Sequence, residues 1–209
     1  MASAIIHMAV ANQINKIINK DNNKILIGSI APDISKHLGE TKYYTHFLDD
    51  VENDVPNIDK FLNKYKNELN DDFVLGYFIH LYTDYLWFKY FIPEICDNDL
   101  ITKLDGTVVK CNGRMALQYI YNDYTNLNST LLDMYDLPLN IFYEEIPKME
   151  QIIEEAPVDK LHLIVDKTGV IIENSKVKKD LVFNVDNIKS FVDTSVDLTM
   201  AKLKELEVV

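Results

Sequence analysis

Cysteine is scarce in this chain: Cys96 and Cys111 are the only two among 209 residues. That excludes a disulfide scaffold, and two thiols alone make a poor zinc site. Positive charge is also in short supply. The 21 lysines and arginines face 33 aspartates and glutamates, a net charge of −12. This balance argues against a nucleic-acid binder that works through a basic groove, and against docking on anionic lipid. The start, "MASAIIHMAV", has neither a basic n-region nor a long apolar h-region, so no signal peptide is read there. Repeats, low-complexity tracts and interdomain linkers are missing as well. Together these absences point to one domain spanning 1–209, expected in the cytoplasm, and 47% hydrophobic residues suffice for a core.

The longest apolar run, from Phe73 to Pro93, is about the length of a membrane span. It holds His80, Asp84 and Lys89, however, and a central aspartate costs about 2.5–3.5 kcal/mol on insertion scales. The run is therefore read as a buried helix over about 72–92, stopped by Pro93, with no transmembrane segment. Helical periods also occur over 4–20, 57–68, 113–136, 143–155 and 186–206. Gly28 and Pro32 in "KILIGSIAPDIS" punctuate a loop that presents Asp33, and "KHLGETKYYTHF" is an irregular stretch leading to His46. The segment 157–185 reads as irregular or β, with Lys167, Thr168 and Gly169 as a hairpin turn. The expected fold class is mostly α, a single-domain helical bundle around the central buried helix.

That helix contains "GYFIHLYTDYLWF", with His80 and Asp84 four positions apart. Four positions advance about 40° around a helix, so the two side chains share one face. A buried imidazole and carboxylate without partners would cost several kcal/mol. A metal ion would supply the missing charge, and a hydrogen-bonded His–Asp pair serving structure alone is the other reading. Candidate partners are Asp33 in "GSIAPDIS", His46 in "YYTHFLDD", and His7 on the apolar stripe of the first helix, where a satisfied core histidine is the alternative. His37 lies in polar sequence and reads as surface. His162, with Asp166 after it, reads as surface or core. Asp123, in "YNDYTN", is read as a capping or surface residue, with a further carboxylate near the site as the alternative.

A histidine in the first helix, then "GSIAPDIS", "THF" and "FVLGYFIHLYTDYLW", follow an order that resembles the zinc-dependent phospholipase C family, above all its small, signal-less bacterial members. The resemblance is clear over 1–95 and extends to about 136. It implies an α-helical bundle, an architecture shared with the fungal single-strand nucleases. It also implies that Asp33, His46, His80 and Asp84 hold one zinc, that His7 helps bind a second ion, and that Asp84 bridges the two. The third site of the secreted members is not carried over, because Tyr90 stands where they have a histidine and no His-x-x-x-Glu follows.

The function so implied is a metal-dependent phosphoric-ester hydrolase acting on a phosphodiester or phospholipid-type substrate. A zinc-activated water would attack phosphorus, with Asp33 as both ligand and orienting group. The competing reading, from a different class, is a metal-stabilised helical binding or structural protein without catalysis. An HD-type phosphohydrolase is disfavoured because no adjacent His-Asp pair occurs.

Overall fold

Helix starts in this protein are set by side-chain oxygens that accept otherwise unpaired backbone N–H groups. Ser3 accepts from Ile6 N at 3.2 Å and opens α1 (Ala4–Ile18). Asp21 accepts from Lys24 N at 3.2 Å and opens α2 (Asn22–Ile30). Asp71 accepts from both Phe73 and Val74 N, at 2.9 and 3.1 Å, and opens α6 (Asp72–Leu86). Asn19 closes α1 in the left-handed conformation, φ 54°, which asparagine tolerates better than most residues. The computed structural model describes residues 1–52, 54–97, 99–110, 113–175 and 179–209, with the backbone alone at 113–117. Cys111 lies outside the described residues.

Between α2 and α6 come a 3₁₀ turn (Ala31–Ile34), α3 (Ser35–Leu38), α4 (Lys42–Thr45) and α5 (Ile58–Tyr65). After α6 a π-helical turn (Trp87–Phe91) leads into α7 (Ile92–Ile95). Next come the short strands β1 (Cys96–Asp97), β2 (Leu100–Thr102) and β3 (Val108–Lys110), then α8 (Gly113–Met134), α9 (Leu161–Glu173) and α10 (Val185–Glu205). The architecture is mostly helical, with α6 buried against α1, α2, α5 and α10. Among the described residues, no helix is long and apolar enough to cross a membrane.

The tightest packing joins α2 to α6. A Cβ on Gly28 would stand 2.3 Å from the Phe73 carbonyl oxygen, and one on Gly76 would stand 2.3 Å from the Ile25 carbonyl oxygen. Glycine at both positions lets the two backbones touch. Gly28 is thus interior to a helix and marks a close approach, where the sequence pattern suggests a loop.

Three further expectations are corrected. The helical run continues past Pro93, which occupies the first turn of α7, where its missing N–H is not needed. Residues 143–155 are largely non-helical. Gln151 organises a bend there, donating to the Ile153 carbonyl at 2.6 Å and accepting from Val158 N at 2.8 Å. Tyr65 anchors the same stretch, since its hydroxyl donates to Glu155 at 2.7 Å and accepts from Glu154 N at 3.0 Å. The expected β segment holds α9, because Leu161, Ile164, Val165 and Thr168 bury one helical face despite their β-branched neighbours. The sheet lies instead at 96–110, antiparallel in the order β1-β2-β3, with Ile101 opposite both Cys96 and Val109. Asp105-Gly106 is its turn signal, with Gly106 at φ 81°.

Asp123 takes the capping role. Its buried carboxylate accepts from Leu181, Val182 and Phe183 N at 2.9, 2.7 and 3.0 Å, fixing the bend that leads into α10.

Candidate metal centre

The close contact of Gly28 with Gly76 fixes the side chains and carbonyls next to it along both helices. One turn beyond Gly76, His80 projects from α6 and its Nδ1–H donates to the Ser29 carbonyl at 2.7 Å. This leaves the Nε2 lone pair of His80 pointing inward. His46 is held similarly. It caps α4, its Nδ1 meets Thr45 Oγ1 at 3.0 Å, and the Thr45 carbonyl is tied to α6 by the Tyr77 hydroxyl at 2.6 Å. The two Nε2 atoms lie 3.2 Å apart.

Two carboxylates complete the ring. Asp84 Oδ2 is 3.6 Å from each of these Nε2 atoms, and Asp33 Oδ1 is 3.9 Å from that of His46. Donors about 2.0–2.2 Å from a tetrahedral ion are separated by about 3.3–3.6 Å; the four spacings here run from 3.2 to 3.9 Å, with Asp33 the farthest out. Asp33 Oδ1 and Asp84 Oδ2 are buried without hydrogen-bond partners. Orphaned buried oxygens aimed at inward-facing imidazole lone pairs are what a cation would satisfy.

His7 stands behind this ring. Its imidazole stacks on that of His80, with centroids 3.7 Å apart, and its Nε2 lies 3.2 Å from Asp84 Oδ1. Asp84 therefore turns one oxygen to His46 and His80 and the other to His7, where Ala2 N also donates at 2.9 Å. The described residues contain two overlapping groups able to hold a metal ion, His7–His80–Asp84 and Asp33–His46–His80.

All five sequence-predicted site residues thus meet in one place, from α1, the 3₁₀ turn, the α4 cap and α6. His37 is exposed, as its polar surroundings imply. His162 and Asp166 are exposed on α9 and belong to no such group among the described residues. The supports Ser29, Thr45 and Tyr77 lie inside "GSIAPDIS", "THF" and "FVLGYFIHLYTDYLW", but their roles, like that of the Ala2 N–H, depend on proximity created by the fold.

The electrostatics leave the ring short of positive charge. Burial pushes His46 down to about 4, against the pull of Asp33 and Asp84. Burial also drives His80 well below its ordinary value, helped by His7. Burial alone would raise Asp33, but His80, then Lys36 and His46, outweigh it and bring it to about 2. Asp84 lies well below the carboxylate range, because His7 outweighs the opposing effect of burial. The imidazoles pull on the carboxylates only as cations, a form that burial denies His46 and His80 at neutral pH. Lys36, 3.6 Å from Asp33 Oδ1, is then the closest lasting counter-charge to the two buried carboxylates, and it lies on the Asp33 side alone.

Acid should destabilise the metal-free protein. The unfolded chain protonates His46 near 6.5, whereas the folded protein does so only near 4. Stability is therefore lost as pH falls across that window, by about 3 kcal/mol for this group alone. Asp33 adds a loss below 3.8, continuing to about 2. Thermal melts in chelator should show a falling Tm between pH 7 and pH 5; a flat or rising Tm would contradict neutral, buried imidazoles.

Only Asp33 of the ring reaches open space. A cavity of about 470 Å³ lies beside it, walled by Ala2–Ala4, Lys36, and parts of α8 and α9. The fold and the cluster define a mostly helical protein with a buried His/Asp group able to hold a metal ion. Comparison of the chain with protein-family models, with curated proteins and with solved structures finds no match in any of the three.

Proposed function

We propose that this protein is a metal-dependent phosphoric-ester hydrolase, related to the zinc-dependent phospholipases C, with phosphodiesters or phospholipid-type esters as substrates. The observation that carries this reading is the convergence of two imidazole Nε2 atoms, 3.2 Å apart, with two orphaned carboxylate oxygens beside a cavity. Zinc is the metal best suited to a ring of two imidazoles and two carboxylates, and when bound it supplies a Lewis acid and a nucleophile at neutral pH.

His46 and His80 would act as neutral donors; the Ser29 carbonyl fixes the tautomer of His80, and the Thr45 hydroxyl orients the ring of His46. Asp84 would balance the charge of an ion in the ring, and it links the ring to His7, which with His80 and Asp84 could hold another. Asp33 has a different task because it alone borders the cavity. A carboxyl held near 2 is a weak base, so Asp33 serves as a ligand and as an acceptor that orients water toward the phosphorus.

A second reading is supported by the burial of the cluster. His7, His46, His80 and Asp84 are at most 1% exposed, which suits an ion that only braces the fold. Hydrolysis of bis(p-nitrophenyl) phosphate separates the two. The hydrolase reading expects turnover that disappears on chelation, returns with zinc and is absent in His80→Ala. One tightly held ion per chain, with no turnover on any phosphoester and a large loss of Tm on chelation, would leave the bracing role.

A further inference from the structure

The cavity beside Asp33 carries its own chemical signature. Lys36 lies three residues after Asp33, and its Nζ is 3.6 Å from Asp33 Oδ1, at the metal-facing end. Lys167, exposed on α9, lines the same space. Two ammonium groups thus face one cavity in a chain whose net charge is −12. Asn128 lies in the wall, 2% exposed, and its Oδ1 is buried with no hydrogen-bond partner. A buried amide oxygen without a donor is costly, and a bound ligand would relieve it. The rest of the lining is largely apolar or aromatic, with Tyr121, Ile164 and Ile171 among it.

We propose that this cavity takes an anionic phosphate ester with an apolar or aromatic organic part, gripped by Lys36 and Lys167 and oriented by Asn128. The inference rests on the hydrolase reading above and deepens it by naming the charge of the substrate. The two lysines attract a phosphoryl group as point charges and place it next to Asp33. They repel a quaternary ammonium, which is held elsewhere by aromatic faces and carboxylates. Among the described residues, the only carboxylate in the wall is Asp33, which belongs to the ring. The volume falls within the range of about 300–1,000 Å³ of small-molecule sites.

The test pairs binding with turnover. Phenylphosphonate, which cannot be hydrolysed at its P–C bond, is titrated calorimetrically into zinc-loaded wild type, Lys36→Ala, Lys167→Glu and the double variant. Both lysines are exposed, so folding should survive, as melts and zinc content will report. Relative to wild type, binding should weaken about tenfold in Lys36→Ala, which loses one charged contact, at least about tenfold in Lys167→Glu, which reverses one, and at least about a hundredfold in the double variant. Asn128→Ala should weaken it as well. In turnover, the anionic diester bis(p-nitrophenyl) phosphate should exceed the zwitterionic diester p-nitrophenyl phosphorylcholine by about tenfold or more in kcat/KM, and Lys167→Glu should erase that preference.

Equal phenylphosphonate affinity in wild type and the double variant would overturn the proposal, as would a preference for the choline ester. Lysine-dependent binding with no turnover of either ester would uphold the cavity assignment while removing the hydrolase reading. Turnover indifferent to both lysines would do the reverse.

Discussion

Asp84→Ala is expected to strip the protein of zinc and to lower its Tm by about 10–30 °C at saturating metal. Two losses combine. Zinc present at about a thousandfold its Kd stabilises the native state by about 4 kcal/mol, and the variant forfeits this. The substitution also removes the acceptor for Ala2 N, at 2.9 Å, and the neighbour of His7 Nε2, at 3.2 Å. Leaving such buried groups unpaired costs about 1–3 kcal/mol. For a chain of this size, each kcal/mol moves Tm by about 2–4 °C. Metal analysis and melting scans, with and without chelator, read the two parts separately. Stoichiometric zinc in Asp84→Ala would show that the ring is wrongly assigned. Asp123→Ala is the matched comparison, because it also empties a buried carboxylate position but should lower Tm without releasing zinc.

Gly76→Ala should cost at least about 3 kcal/mol, read as a lower denaturant midpoint. The new methyl would meet the Ile25 carbonyl oxygen at 2.3 Å and the Gly28 Cα at 3.0 Å. These are backbone atoms and cannot rotate away, so α2 and α6 must separate. The metal centre should suffer with the fold, because the same contact holds the Ser29 carbonyl 2.7 Å from His80 Nδ1. Losing the orientation of that ring is expected to weaken zinc binding about 10–100-fold. Gly169→Ala is the contrast, since its nearest neighbour would be Phe142 Cδ1 at 3.7 Å, an ordinary contact. It should change stability little, or raise it slightly through helix propensity. Equal effects of the two substitutions would show that the close approach of α2 and α6 does not limit stability.

Legibility varies along the chain for identifiable reasons. The helices at 4–18, 58–65 and 185–205 repeat apolar residues at helical spacing, and each begins at a capping Ser or Asn. The stretch 161–173 suggests β because Ile and Val favour strands when taken singly, and only its burial on one face makes it a helix. The stretch 143–155 shows the opposite failure. Its charge pattern suits a helix, but Gln151 and Tyr65 take over its backbone groups.

For the site, residue types and spacing on α6 fix His80 and Asp84 as one pair, because helix geometry alone sets four-residue neighbours. Asp33, His46 and His7 have to be brought to that pair from other segments, which spacing cannot specify. The packing of Gly28 on Gly76 does that for Asp33, by holding α2, and the turn just beyond it, against α6. The sequence by itself determined a mostly helical, acidic chain with a buried His–Asp pair, since periodicity and composition act locally. Only the tertiary structure decided which oxygens are left without partners, which ring nitrogens face inward and which one ligand candidate meets a cavity. Those properties depend on atoms far apart in the chain, and close packing alone sets their distances.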